Sequence, residues 1–269
     1  MSLTKISAKL LIASLLLCLQ GCKKESEAYP EAKSDKSKHV LFIQGSLYTP
    51  VLAEIKDTLT PIINNIIKKE LGLSSDYNFD FFLPKDWQRL TLYYLNDTDT
   101  DNTAMNFIYS KLENILLENE GLFKLKNVKL APQVNLFGDN KDELVIMIDD
   151  PNKELSFLNQ KIKSAMNEAD KEYLQKHNLC LYNISKSERF AYLPHIGLGR
   201  IRSTSIKHHI KDASQADKIY ATIMQRILDE TSLVVKELLR KNNLEITFKM
   251  LCIFDQQLRT CIKEYPFLL

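Results

Sequence analysis

The sequence has few of the residues from which common catalytic motifs are built. Its 269 residues include 7 glycines, 5 cysteines and 5 histidines. They form no glycine-rich phosphate loop, no CxxC pair, and no HExxH or GxSxG motif. The sequence therefore does not indicate a P-loop nucleotide enzyme, a zinc protease of the HExxH type or a GxSxG hydrolase. We expect neither a metal ion nor a cofactor.

The chain also lacks a large excess of charge of either sign. It carries 36 Lys and Arg residues against 34 Asp and Glu residues, a formal net charge of +2. Lys5 and Lys9 are the charged residues of the first 21, so a chain that begins at Cys22 is formally neutral. This balance disfavours broad electrostatic binding to nucleic acid or anionic lipid, and it leaves room for a local basic pocket.

The apolar run near the N-terminus, LLIASLLLCL at 10–19, is too short to cross a bilayer as a helix. Together with Lys5 and Lys9 it has the form of a signal peptide. It ends in LQGC at 19–22, which resembles a bacterial lipobox apart from Gln20 at the second position. The resemblance implies cleavage after residue 21, lipidation of Cys22, and a place in the bacterial cell envelope on either membrane. An ordinary cleaved signal or an uncleaved anchor are the alternatives.

The next segment is too polar to fold by itself. Residues 23–38 hold five lysines, four acidic residues and one proline, with no aliphatic side chain larger than alanine, so they cannot build a core. We predict a flexible charged tether here. The predicted organisation is a lipoprotein signal peptide at 1–21, a tether at 22–38 and a single domain at 39–269.

Three cysteines lie in the predicted domain, namely Cys180, Cys252 and Cys261. The last two flank a predicted hairpin, CIFDQQLRTC, and could face each other across it. Outside the cytoplasm this arrangement allows one disulfide and leaves one thiol. Three buried thiols are the alternative.

From His39 onward the sequence alternates between strand and helix patterns. This order predicts an α+β chain with one two-lobed core. The helix at 152–178 is expected to be interrupted. The predicted helices are 50–72, 101–121, 152–178 and 213–242, and the predicted strands are 39–45, 77–84, 89–96, 122–138, 143–149, 179–185, 192–201, 244–254 and 258–265.

Two of the predicted strands, RLTLYYLN at 89–96 and HIGLGRI at 195–201, occupy corresponding places in the two halves of the chain. PHIGLGR (194–200) resembles the second motif of the 2H phosphoesterase superfamily, which includes the 2′-5′ RNA ligases and cyclic phosphodiesterases. LEITFKMLCIF (244–254) resembles that family's closing strand. The resemblance covers most of residues 39–269. It implies a two-lobed, pseudo-symmetric fold with antiparallel sheets flanked by helices and one His-x-Thr/Ser motif in each lobe.

The chemistry of phosphodiester cleavage explains why the family's motifs use histidine and a hydroxyl residue. One imidazole takes a proton from water or a 2′-hydroxyl, and the other protonates the leaving oxygen. Histidine suits both roles because its pKa lies near neutrality. The hydroxyl two residues further on points to the same side of the strand and can bind a non-bridging phosphate oxygen as charge develops.

This sequence retains two of those four groups. His195 matches the second histidine and Thr91 the first hydroxyl, so the resemblance implies catalytic roles for both. Arg89 replaces the first histidine, and Gly197 replaces the second hydroxyl. Arginine stays protonated and cannot act as the base, but it can donate two N–H groups to a phosphate. Arg89, Thr91 and His195 are therefore the predicted phosphate-binding residues.

Three further residues are candidates for lining the pocket. Tyr93 lies two residues beyond Thr91 and is expected on the same strand face. Tyr192 could stack on a base, and Gly197 leaves space for a larger group.

Three functional hypotheses remain open from the sequence. The first is a lipid-anchored 2H-like protein that binds a nucleotide or another phosphate ligand with weak or no hydrolysis. The second is an active 2′-5′ or cyclic phosphodiesterase that uses His195. The third is a non-enzymatic envelope interaction protein, in which His195 is a structural histidine at a strand edge.

Overall fold

A computed structural model describes residues 38–48, 51–81, 89–118, 128–189, 191–242 and 246–266. One compact unit spans Ser37–Leu269. The predicted signal peptide, the lipidation position Cys22 and the tether up to residue 37 lie outside the described residues. Among the helices that are described, none is both long enough and apolar enough to span a bilayer.

The described chain contains seven strands and six α-helices. The strands are β1 (His39–Tyr48), β2 (Arg89–Thr98), β3 (Lys129–Phe137), β4 (Glu143–Asp149), β5 (His195–Arg200), β6 (Thr247–Asp255) and β7 (Thr260–Pro266). The helices are α1 (Val51–Leu71), α2 (Asn102–Glu118), α3 (Glu154–His177), α4 (Ile184–Ser187), α5 (Ser203–Lys207) and α6 (Ala216–Lys241), and a 3₁₀ turn at Ala213–Gln215 precedes α6.

The seven strands form one antiparallel sheet in the order β3-β4-β5-β2-β1-β6-β7. The predicted α+β fold with antiparallel strands flanked by helices is confirmed. The sheet is narrow at its middle. Among the described residues, β2 and β5 are joined by the single pair Leu90–Ile196. This joint divides the sheet into a three-stranded part and a four-stranded part.

One face of the sheet is fully buried. Leu41 and Ile43 of β1, Leu90 of β2, and Ile196 of β5 have no exposed surface. Gly45 is needed beside them because a Cβ there would lie 2.1 Å from Cε1 of Phe248. The helices contribute to the same hydrophobic core through a series of buried side chains: Ile55, Leu59, Ile63, Ile108, Leu112, Leu158, Ile162, Ile223, Ile227 and Val235.

Two predicted strands are wrong where the structure describes them, and residues 82–84 of the strand predicted at 77–84 lie outside the described residues. Residues 77–81 form no strand, because the buried Asn64 side chain takes both backbone groups of Phe79. Its Oδ1 accepts from the Phe79 N–H at 2.7 Å, and its Nδ2 donates to the Phe79 carbonyl at 3.3 Å. Residues 179–185 form no strand either. There Asp170 accepts from the Leu181 N–H at 2.6 Å, and Asn183 caps α4 by accepting from the Lys186 N–H at 3.1 Å.

The predicted interruption of the third helix is also wrong, because α3 runs without a break over Glu154–His177. Asp150 supports its first turn by accepting from the N–H groups of Leu155 (3.1 Å) and Ser156 (3.2 Å). A carboxylate at this position also complements the positive end of the helix dipole.

Candidate functional site

The two motif segments meet at the joint of the sheet. Leu90 is the middle residue of Arg89–Thr91, Ile196 is the middle residue of His195–Gly197, and these two apolar residues pair directly. Because both are fully buried, the residues on either side of each point to the opposite face. Arg89, Thr91, His195 and Gly197 are all half-exposed there. We call this surface the open face.

The antiparallel register relates the two motifs by a local twofold axis. Continuing the register by one residue on each side of Leu90–Ile196 places Thr91 opposite His195 and Arg89 opposite Gly197. Side chains that are directly opposite in an antiparallel pair have Cβ atoms about 4.5–5.5 Å apart. By this extension of the register, the open face has a hydroxyl opposite an imidazole, and a guanidinium-bearing residue opposite a position with no side chain.

His195 is the first residue of β5, and its imidazole ring contacts two other residues. Its Nδ1 lies 2.7 Å from the carbonyl oxygen of Leu193, and its ring packs against Phe137 with a centroid distance of 4.5 Å. Since a carbonyl only accepts, Nδ1 carries the hydrogen, and in the neutral ring Nε2 is the nitrogen that can take a proton. This tautomer leaves His195 competent as a base or, once protonated, as an acid.

Thr91 has one neighbour that fixes its hydroxyl. Gln44 on β1 donates its Nε2 to Thr91 Oγ1 at 3.4 Å, which is a long hydrogen bond. A hydroxyl that accepts one bond still has its own hydrogen to donate. Thr91 can therefore offer that hydrogen to an anion on the open face.

Arg89 shares the open face but extends away from His195. Its Nη1 lies 2.7 Å from Cys252 Sγ and 2.7 Å from Cys261 Sγ. Cys252 is on β6 and Cys261 on β7, both beyond β1, whereas His195 is on the other side of β2. Arg89 and His195 thus lie on adjacent strands of the sheet, while the guanidinium itself lies over the cysteines.

The two cysteines form a contact pair beneath that guanidinium. Their Sγ atoms are 2.6 Å apart. A hydrogen bond from the Cys252 thiol and the positive charge of Arg89 lower the pKa of Cys261 to about 7, against the opposing effect of burial. The hydrogen bond to Cys261 raises the pKa of Cys252, and burial raises it further. Cys261 is therefore the thiol of the pair that loses its proton more readily.

Tyr93 does not share the face of Thr91. The register of β1 against β2 shifts between Ile43 and Gln44, so that Ile43 pairs with Tyr93 and Gln44 with Thr91. This bulge turns Tyr93 to the buried face, where only 6% of it is exposed. Its hydroxyl lies 3.3 Å from that of Tyr182, and burial is the main cause of its raised pKa.

Tyr192 packs against the hydrophobic core rather than lying open on the surface. Its hydroxyl is buried and has no hydrogen-bond partner within the described part of the chain, and the same holds for Asp150 Oδ1. Burial raises the pKa of Tyr192, and the negative charge of Asp150 adds to that effect. The structure thus buries this hydroxyl, which is not presented to solvent.

Sequence reasoning missed the contact between Arg89 and the cysteines. The cysteines flanking a hairpin were a signal for their mutual contact, but nothing in the sequence linked them to a residue 163 positions away from Cys252. The supports of His195 by Phe137 and of Thr91 by Gln44 were missed for the same reason. No cluster of three or more His, Cys, Asp or Glu side chains in the described ranges could hold a metal ion.

Comparison with solved structures identifies the fold. Usb1 from Kluyveromyces marxianus, solved with uridine monophosphate, is similar with a TM-score of 0.52 and 14% sequence identity over 86% of this chain and 99% of its own. Usb1 is a 2H phosphoesterase. The chain shares its fold. A second Usb1 structure from the same organism has a TM-score of 0.48 at 15% identity with the same coverage.

Two sequence comparisons found no match. No protein-family model matches the sequence, and no curated protein matches it either. At 14% identity the likeness to Usb1 shows the fold alone. The functional argument therefore depends on the residues at the sheet joint.

Proposed function

We propose that this protein binds a phosphate-containing ligand, a nucleotide above all, on the open face beside Thr91 and His195, with weak or no hydrolysis. The observation that carries the proposal is the pairing of Leu90 with Ile196. This register brings both motif segments to one half-exposed face. The similarity to Usb1 supports a nucleotide as the ligand, because that protein was solved with uridine monophosphate.

Each side chain has a role that its chemistry allows. Thr91 donates its hydroxyl hydrogen to a non-bridging phosphate oxygen, and His195 donates from Nε2 when it is protonated. Arg89 supplies charge-assisted hydrogen bonds when its guanidinium turns toward β5. Gly197 leaves open the place that a side chain would otherwise occupy opposite Arg89.

Weak hydrolysis follows from having one imidazole instead of two. Acid–base catalysis of phosphodiester cleavage needs one group to take a proton and another to give one. Arg89 stays protonated and is a very poor acid. Loss of one such group costs about 10²–10⁴-fold in rate. His195 alone can serve one of the two proton transfers.

Binding of uridine monophosphate to the His195→Ala variant tests the proposal. We expect the dissociation constant to rise about 10–100-fold, because a hydrogen bond to a charged group contributes about 1.5–3 kcal/mol. Isothermal titration calorimetry measures the change. His208→Ala is the matched control, because His208 is an exposed histidine that follows α5, and it should bind as the parent does.

The same preparations separate the remaining hypotheses. Turnover of 2′,3′-cyclic nucleotides or 2′-5′ oligonucleotides that disappears in His195→Ala would replace the binding proposal with an active phosphodiesterase. An absence of both binding and turnover in the parent protein would contradict the proposal. A non-enzymatic envelope interaction protein would then be the better interpretation.

We also propose that the protein is held at a bacterial membrane by a lipid on Cys22. The support is the lipobox-like LQGC at 19–22. Cells fed radiolabelled palmitate should incorporate label into the parent protein but not into the Cys22→Ser variant. The Cys180→Ser variant should keep the label. Equal labelling of all three proteins would contradict the anchor.

A further inference from the structure

The contact of Arg89 with Cys252 and Cys261 has no part in phosphodiester chemistry. We infer that Cys252 and Cys261 form a reversible disulfide and that its formation releases Arg89 toward the phosphate site. The second half of this inference rests on the proposed function. The first half stands on the geometry of the β6–β7 hairpin.

The hairpin brings the two sulfurs together through a bulge. Cys252 pairs with Glu264 and Phe254 pairs with Cys261, and the register shifts between Ile253 and Phe254. This shift brings Cys261 one residue closer to the position opposite Cys252. The two Sγ atoms are 2.6 Å apart. Cys252 is buried, whereas Cys261 is half-exposed. A small oxidant therefore reaches Cys261 first, and Cys252 is already in place to resolve the product.

The chemistry balances with a small disulfide such as oxidised glutathione as the oxidant. The Cys261 thiolate attacks one glutathione sulfur, forming a mixed disulfide and releasing one glutathione thiolate. Cys252 then loses its proton and attacks the Cys261 sulfur, forming the Cys252–Cys261 bond and releasing the second glutathione. Two electrons pass from the protein to the oxidant. The lowered pKa of Cys261, about 7, gives it thiolate character at neutral pH.

Oxidation of Cys252 and Cys261 changes the charge beside the Arg89 guanidinium. In the reduced form Arg89 Nη1 lies 2.7 Å from both sulfurs, and the lowered pKa of Cys261 favours a thiolate there, whereas a disulfide cannot carry that charge. From β2, strand β6 is two strands away and β5 is the adjacent strand, at about 4.8 Å per strand. A side chain that reaches β6 is therefore long enough to reach β5. Gly197 opposite Arg89 leaves the space that the turned guanidinium requires.

The first experiment tests the disulfide and the release of Arg89 without any ligand. The full-length protein is treated with oxidised glutathione, digested and mapped by mass spectrometry. We expect a Cys252–Cys261 linkage in the parent and in Cys180→Ser, and a glutathione adduct at Cys261 in Cys252→Ser. Labelling of Arg89 by phenylglyoxal should be several-fold faster in the oxidised parent than in the reduced parent.

Two results would overturn the inference. One is a stable glutathione adduct at Cys261 in the parent without the Cys252–Cys261 linkage. The other is a linkage that leaves the labelling rate of Arg89 unchanged, since the cysteines would then not control the guanidinium.

The second experiment measures uridine monophosphate affinity in both redox states. We expect roughly tenfold tighter binding to the oxidised protein, because a charge-assisted hydrogen bond is gained, and no difference between the two states of Arg89→Ala. Binding that is equal in both states of the parent would overturn the coupling. Absence of binding in both states would contradict the proposed function, while linkage and faster labelling would still support the redox control of Arg89.

Discussion

The double substitution Arg89→His and Gly197→Thr is expected to raise turnover of 2′,3′-cyclic nucleotides by about 10²–10⁴-fold over the parent protein. It supplies the second imidazole and the second hydroxyl at the positions where the resemblance places them. Continuing the register from the pair Leu90–Ile196 by one residue on each side sets residue 89 opposite residue 197 and residue 91 opposite residue 195. The variant therefore carries a histidine and a threonine on each side of the local twofold axis.

The backbone at position 197 accepts this change. Gly197 lies within β5, and it is not among the glycines with a positive φ, so a threonine meets no backbone strain there. Threonine also favours strands. The rate is followed by release of the 2′- or 3′-monophosphate.

Two controls separate restored catalysis from contamination. Adding His195→Ala to the double variant should return the rate to background, whereas adding His208→Ala should leave it unchanged. Parent-like turnover in a double variant that is folded, as judged by its circular dichroism and melting curve, would contradict the assignment of both motif positions.

Truncation of Asp255 is expected to lower the free energy of unfolding by about 3–5 kcal/mol. Its side chain has no exposed surface, and its Oδ2 contacts His39 Nδ1. Its Oδ1 accepts from the N–H groups of Gln257 at 2.8 Å and Leu258 at 3.0 Å. The Asp255→Ala variant loses all three contacts in a buried site, so the start of β1 and the β6–β7 turn lose their common support.

Urea unfolding followed by circular dichroism measures this loss as a lower midpoint with a similar slope. Asp217→Ala is the matched control, because Asp217 contacts Lys207 but 91% of its own side chain is exposed. We expect that control to unfold almost as the parent does, since exposed ion pairs contribute little. Equal midpoints for Asp255→Ala and the parent would show that the buried pair does not stabilise the fold.

Hydrophobic periodicity was sufficient to predict most of the fold. Helices α1, α2 and α6 and the two strands at the joint are where the pattern placed them, because each has an apolar face to bury. The predicted strands at 77–84 and 179–185 failed because single polar side chains, Asn64 and Asp170, take backbone groups that a ladder would have used. Hydrophobic periodicity does not reveal hydrogen bonds between residues that are distant in the sequence.

The sequence predicted the strands that carry Arg89, Thr91 and His195, but not the contacts of these side chains. Alternation within a strand places Arg89 and Thr91 on one face, and the motif resemblance placed His195 near them. The bulge that turns Tyr93 to the buried face is a property of β1 and β2 together. The turn of Arg89 toward the cysteines depends on three strands. Contacts of this kind are set by tertiary packing.

The most direct test of the account is a crystal structure of the protein with uridine monophosphate. The account predicts the phosphate on the open face, within hydrogen-bonding distance of Thr91 Oγ1 and His195 Nε2. A phosphate bound in the groove along α1, which Thr60, Asn64, Lys68 and Asn78 line, would contradict it.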